Sequence, residues 1–140
     1  GGLRAAVIVG VLWGSWHLPL FFDPTVIHSQ WPLQSQLAYF VGIVAFSILI
    51  AWVYNGSGGS ILLAMLMHGA ENAAGGLVPL DLERAIVEGV PDWVALAPMN
   101  VSHAVFMWLL ALVAIGATGT GLLARREMRE RRDSSTTRGV

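Results

Sequence analysis

Two short stretches place polar side chains inside otherwise apolar sequence. His17 lies in "LWGSWHLPLFF", and His68, Glu71 and Asn72 lie in "MLMHGAEN". If the second stretch is a helix, His68 and Asn72 lie one turn apart on one face, about 40° from each other around its axis. Polar side chains in an apolar helix normally face a bundle interior or a watery cavity. Three of them within five residues therefore indicate a site.

The first stretch supplies a second histidine on another helix. Trp13 lies one turn before His17, so the spacing predicts that its indole packs beside the imidazole. Two histidines with an amide or a carboxylate suit two chemistries, and both stay open. Imidazole and carboxylate are common zinc ligands, so His17 and His68 are candidate metal ligands. Alternatively, His and Asn side chains donate hydrogen bonds to a developing oxyanion.

Each of these residues also has a structural interpretation. A histidine before Leu-Pro, such as His17, is often a helix-end residue, and His68 with Asn72 can form an interhelical hydrogen bond. Glu71 lies about 60° from His68 on the flank away from Asn72, so it can pair with a histidine or reach water. We therefore treat Trp13 and Glu71 as accessory candidates. We expect ordinary structural positions for the other two histidines, His28 and His103.

The composition indicates a membrane protein. The 140 residues are 55% hydrophobic and 12% charged, whereas soluble domains contain about 25% charged residues. The net charge of −1 provides no basic field for nucleic acid, so we expect no nucleic-acid partner. The chain has no cysteine, which excludes disulfides and thiolate sites within it.

Four apolar segments predict an all-α, multi-pass transmembrane bundle of about four helices; they are residues 5–18, 34–54, 61–78 and 97–124. Pro19 disfavours helical geometry at Leu18, so the first helix should stop near His17. Ser60 is a plausible N-cap of the third helix. We expect a loop at 79–98, with a short helix at 81–88.

Small residues and charges complete the predicted organisation. In "GATGTG", Gly116/Thr120 and Ala117/Gly121 have the small-xxx-small spacing that allows close helix packing. Residues 125–140 hold six arginines and three acids, a balance of +3. We expect this tail to be disordered and to lie at the lipid surface in the cytoplasm, by the positive-inside rule. Loops 79–98 and 19–33 are then outside, with loop 55–60 inside.

The two stretches together resemble motifs of the CAAX protease and bacteriocin-processing (CPBP, or Abi) family of intramembrane proteases. Trp13 and His17 match its aromatic-x-x-x-His motif, followed here by Leu-Pro, and His68 with Asn72 match its His-x-x-x-Asn/Asp motif. The resemblance covers roughly residues 3–78. It implies an intramembrane endopeptidase of the CAAX prenyl protease 2 type in the cell membrane. Its partners would be membrane lipid and a peptide or membrane-protein substrate.

The resemblance also implies roles for the site residues. A glutamate activates water, and His17, His68 and Asn72 surround the attacked carbonyl as catalytic residues. They either stabilise the oxyanion or, through the histidines, hold a divalent metal such as zinc. The family places the glutamate in a Glu-Glu-x-x-x-Arg motif, which these 140 residues lack. We therefore interpret residues 1–124 as a partial protease domain, inactive alone.

Two other functions fit the same residues. One is a non-catalytic membrane scaffold, or an immunity or self-protection protein, that keeps the fold. The other is a transporter fragment in which His17, His68 and Glu71 relay protons. Glu71 could also replace the missing glutamate, but its flank of the helix differs from that of Asn72, so we expect an accessory role.

Overall fold

A computed structural model of the chain describes residues 1–77 and 92–120, in which the regular structure is helical. The four α-helices are α1 (Gly2–Trp16), α2 (Leu33–Gly56), α3 (Ile61–Leu77) and α4 (Asp92–Thr118). Two short 3-10 helices, Leu18–Phe21 and Ile27–Gln30, connect α1 to α2. The predicted all-α class is confirmed.

Helix α2 lies at the centre, with α1 and α4 packed along it. Small residues let α1 approach closely: a Cβ on Gly10 would lie 2.9 Å from Val44 Cα, and one on Gly14 would lie 2.7 Å from a Phe40 ring atom. Ser47 Oγ donates a hydrogen bond of 2.9 Å to the Ala6 carbonyl in the same contact. In successive contacts, higher residue numbers on α1 are paired with lower residue numbers on α2, so the two helices run antiparallel.

The buried core lies mainly between α2 and its two neighbours; it consists of Ala6, Ala45, Phe46, Ile48, Leu49, Met107, Ala111 and Ala114. The outer faces are apolar as well. Leu12, Leu62 and Val113 are 66%, 66% and 67% exposed. Lipid tails are as apolar as leucine, so such faces are stable in a bilayer. In the part of the chain that the structure describes, three ranges are long and apolar enough to cross a membrane: Gly2–Phe21, Leu33–Gly56 and Asn100–Thr118.

Helix ends at three places follow the local sequence signals. Helix α1 ends at Trp16, with His17 as its C-cap, as Pro19 predicted. Ser60 Oγ accepts a hydrogen bond of 3.3 Å from the Leu63 N–H, which confirms the predicted cap of α3. The turn between α2 and α3 uses Gly58 and Gly59 at φ 74° and 93°, a region that glycine adopts readily.

The predicted bounds of the fourth helix, 97–124, were wrong at both ends. Helix α4 begins at Asp92, within the predicted loop 79–98. An acidic residue is favourable in the first turn of a helix, so its charge did not signal a loop. The helix ends at Thr118 because Gly119 adopts φ 70° and donates a hydrogen bond of 2.7 Å to the Ile115 carbonyl.

Of the two predicted small-xxx-small pairs, Gly116/Thr120 makes no close helix contact within the described residues. Gly116 is exposed and a Cβ on it would meet nothing within 4 Å. Thr120 lies beyond the end of α4, so it does not share a helical face with Gly116. The pair Ala117/Gly121 extends outside the described residues. Close approach is seen at Gly10 and Gly14, where a neighbouring helix lies opposite. The expected helix at 81–88 and the tail 125–140 lie outside the described residues.

Candidate active site

His17 is fixed by the end of α1. The backbone N–H of His17 donates to the Gly14 carbonyl at 3.0 Å rather than to the carbonyl four residues back. That Trp13 carbonyl instead accepts a hydrogen bond of 2.8 Å from His17 Nδ1. The imidazole thus donates a hydrogen bond to one of the carbonyl groups that a helix end leaves without a backbone partner.

This hydrogen bond decides the chemistry of the imidazole. A carbonyl oxygen only accepts, so Nδ1 must hold a proton. In a neutral ring, Nε2 of His17 then has a lone pair and no proton. It can accept a hydrogen bond or a proton, or bind a metal, but it cannot donate to an oxyanion unless the ring is charged.

Trp13 contacts both candidate histidines. Its ring centroid lies 6.2 Å from that of His17 and 5.0 Å from that of His68, the second contact being T-shaped. The predicted packing of indole beside imidazole is confirmed for His17. The structure also brings His68 of α3 to the same tryptophan, so side chains from two helices meet at one ring. Trp13, His17 and His68 are half-buried.

Two aromatic side chains of α2 complete this arrangement. Tyr39 makes a T-shaped contact with His17 at 5.7 Å, and Phe46 makes one with His68 at 6.2 Å. The sequence analysis missed both residues. They are seven positions apart, so they lie on one helical face, and this spacing was the available signal. Helix α2 therefore provides an aromatic wall against which both imidazoles pack.

The remaining predicted residues lie further along α3. Asn72 is exposed, one turn beyond His68. Glu71 Oε1 lies 3.1 Å from Nε2 of His103 on α4. The interpretation of Glu71 as the partner of a histidine is therefore confirmed, and the partner is His103. His103 itself lies in an interhelical contact, which is a structural position.

The described residues do not fit a zinc site. Zinc is held by at least three protein ligands, and residues 1–77 and 92–120 contain no group of three or more His, Cys, Asp or Glu side chains that could hold an ion. His17 and His68 would provide two. His17 has the second-shell arrangement of a metal-binding histidine, with Nδ1 donating to a carbonyl. Two donors alone do not define the coordination sphere.

Aromatic rings also cover the connection between α1 and α2. Tyr39 contacts Phe21, His28 and Trp31 at centroid distances of 5.9, 5.7 and 5.5 Å. Burial and, to a smaller extent, the nearby His17 lower the pKa of His28. His28 therefore lies in the environment of the candidate site, which its position in a loop sequence did not indicate.

A groove between α2 and α4 is separate from these residues. It has a volume of about 380 Å³, and its lining is apolar, with Leu37, Val41 and Trp108 among its side chains. Trp108 Nε1 donates a hydrogen bond of 3.1 Å to the Val41 carbonyl there. Since the groove contains no titratable side chain, we assign it to the lipid-facing surface.

Comparison with known proteins bears on the same part of the chain. The sequence model of the Rce1-like family, type II CAAX prenyl endopeptidase, matches residues 1–74. CAAX prenyl protease 2 of Methanococcus maripaludis is 32% identical over 88 residues, which are 61% of this chain and 32% of that protein. The chain therefore spans about a third of the length of this relative. No solved structure matches the chain.

Proposed function

Because this chain belongs to the Rce1-like family of type II CAAX prenyl endopeptidases, we propose that it forms the histidine-bearing part of an intramembrane endopeptidase. The reaction is hydrolysis of a peptide bond in a membrane-associated protein or peptide. The observation that supports this most is the double contact of Trp13 with His17 and His68. Both motif histidines lie within the range that matches the family.

His17 acts as a hydrogen-bond acceptor in this proposal. Its Nδ1–H is engaged by the Trp13 carbonyl, so Nε2 of the neutral ring orients the attacking water or takes its proton. T-shaped packing of Tyr39 holds the ring in place. This role differs from the oxyanion donor that the family resemblance suggested for His17, because a neutral ring of this tautomer has no proton on Nε2.

His68 and Asn72 are the proposed oxyanion donors. They lie one turn apart on α3, and an amide N–H₂ donates whatever the protonation state of the histidine. A donor of this kind contributes about 2.7–4 kcal/mol to transition-state stabilisation in other enzymes. We derive no step through a metal, since the described donors do not fit a zinc site. Glu71 is not assigned to water activation, since it bonds to His103.

The function is tested by peptide cleavage with the protein expressed from its complete gene and reconstituted in vesicles. The probe is a quenched, prenylated CAAX peptide, with the unprenylated peptide alongside. We expect His17→Ala and His68→Ala each to lower kcat on the order of 10²–10³-fold. Ser15→Ala is the control, because Ser15 lies two residues before His17 and its hydroxyl donates to the Val11 carbonyl of its own helix. Full cleavage by both histidine variants would refute the site.

Absence of cleavage by the intact protein, on either peptide, would instead favour a non-catalytic membrane protein of the same fold.

A second experiment tests whether cleavage depends on a metal ion. We expect cleavage to persist after dialysis against a chelator. Loss of cleavage that added zinc restores would show that residues outside the described ranges complete a metal site.

We further propose that the C-terminus is cytoplasmic, on the basis of the arginine-rich residues 125–140. The loops then alternate, which requires α3 to cross the membrane as well. Because the chain has no cysteine, single cysteines report each loop without background. We expect a membrane-impermeant thiol reagent, applied to intact cells, to label Asp23→Cys and not Ser57→Cys. The reverse pattern would invert the topology.

A further inference from the structure

The contact between Glu71 and His103 joins two helices near the candidate site. Nε2 of His103 lies 3.1 Å from Oε1 of Glu71, and the side chains are 40% and 27% exposed. A carboxylate oxygen accepts, so the imidazole donates through Nε2–H.

His103 lies on a turn of α4 that packs against α2. A Cβ on Gly42 would lie 3.7 Å from His103 Nδ1 and 3.6 Å from the Cα of the neighbouring Ala104, which is ordinary van der Waals contact. Ala104 is buried in the contact. His103 therefore presents Nε2 to α3 from a closely packed part of the fold.

Among residues 1–77 and 92–120, few side chains hold helix α3 in place. Its large apolar residues mostly face outward: Ile61, Leu62, Leu63, Met65 and Leu66 are all exposed. The contacts that orient it involve Met67, which packs on the core, and His68, which packs on Trp13 and Phe46. The bond from Glu71 to His103 adds a polar contact one turn further on. Apolar faces in lipid do little to fix helix rotation, so these few contacts decide it.

We propose that Glu71 and His103 are positioning residues, whose hydrogen bond fixes the rotation of α3 that places His68 against Trp13. Glu71 follows His68 by three residues, about 60° around the helix axis. A rotation that breaks the bond also turns His68 away from the indole. The effect on catalysis rests on the proposed function of His68, whereas the effect on helix rotation does not.

The first test measures the proximity of positions 71 and 103 and does not depend on catalytic activity. Since residues 1–140 contain no cysteine, Glu71→Cys with His103→Cys places two thiols in a part of the protein that has no others. We expect a short bifunctional maleimide to join them in vesicles. Arg84 lies between them in sequence, so trypsin yields two fragments that remain linked. Glu71→Cys with Val105→Cys is the control, because Val105 lies about 200° around α4 from His103. Equal linking of both pairs would overturn the proposal.

The second test measures helix rotation. A Trp13→Cys/His68→Cys pair reports the approach of α3 to α1 by the same linking reaction. We expect addition of Glu71→Ala, which removes the acceptor oxygen, to lower the linking yield several-fold. Leu62→Ala, a change at an exposed residue of the same helix, should leave it unchanged. An undiminished yield with Glu71→Ala would show that the bond does not position α3.

The third test uses catalysis. We expect Glu71→Ala and His103→Ala each to lower kcat on the order of 10–100-fold with little change in KM, as small misplacements of catalytic groups do. The exchanged pair, Glu71→His with His103→Glu, should recover most of the loss. The positioning role would be refuted if the two single substitutions kept full kcat, or if the exchanged pair recovered none of the lost kcat. If His68→Ala also leaves cleavage intact, the proposed function has failed, and the linking tests still decide the rotation.

Discussion

The close contact at Gly10 allows a quantitative prediction about how α1, and with it His17, is positioned. A Cβ at this position would lie 2.9 Å from Val44 Cα and 3.0 Å from Ser47 Cβ. Carbon atoms in contact prefer about 3.5–4.0 Å. Gly10→Ala must therefore separate α1 from α2 by roughly 0.6–1 Å, because the opposing atom belongs to the backbone and has no rotamer to change.

The expected loss of stability combines two opposing effects. Overpacking of a closely packed contact costs about 1–3 kcal/mol. Replacement of a helical glycine by alanine returns about 0.5–1 kcal/mol. Gly69→Ala shows the second effect alone, because Gly69 lies within α3 and a Cβ there would meet nothing within 4 Å. The two variants should thus differ by about 1–3 kcal/mol, with Gly10→Ala the less stable.

The free energy of unfolding would be measured by denaturant titration in detergent micelles, with helix content as the signal. Cleavage by the Gly10→Ala protein should also fall, up to about a hundredfold for a displacement near 1 Å, because α1 ends at His17. If Gly10→Ala proves as stable as Gly69→Ala and keeps its activity, the close approach of α1 to α2 does not determine the site.

Two further outcomes follow from contacts near the site. Ser47→Ala should lower the free energy of unfolding by about 0.5–1.5 kcal/mol, since it removes the buried bond to the Ala6 carbonyl. Ser15→Ala removes an exposed bond and should change the free energy of unfolding by less than about 0.5 kcal/mol in the same titration. Burial and then His17 lower the pKa of His28, so stability should fall as the pH drops from about 6.5 through that lower pKa. NMR titration should show His17→Gln raising the pKa of His28; an unchanged value would leave burial as the cause.

Local signals in the sequence predicted several elements correctly because they depend on neighbouring residues alone. The apolar run of α2 predicted 34–54, and the helix spans Leu33–Gly56. Pro19 stopped α1 and Ser60 capped α3, since backbone geometry and a hydroxyl two or three residues away are local effects. Trp13 and His17 shared a face because helical periodicity requires it. Gly119 also ended α4 by a local mechanism, but the apolar run beyond it obscured that signal.

Contacts between helices could not be predicted in this way. The amino-acid type of Glu71 suggested an ion-pair partner, but the choice of His103 depends on how α4 crosses α2 at Gly42. Likewise, "GATGTG" has the small-residue spacing of a close contact, yet Gly116 faces open space while Gly10 and Gly14 pack on α2. The spacing of residues along a helix indicates which of them share a helical face, but it does not indicate whether another helix lies opposite that face.

The sequence by itself determined the chemical groups of this protein, its apolar helices and the family to which residues 1–74 belong. Tertiary structure alone decided that Trp13, which packs beside His17, also contacts His68, and that Tyr39 and Phe46 pack behind the two histidines. The physical reason lies in the range of the forces. Helix formation and capping involve groups a few residues apart, whereas the rotation of one apolar helix against another is fixed by a few close contacts between distant residues.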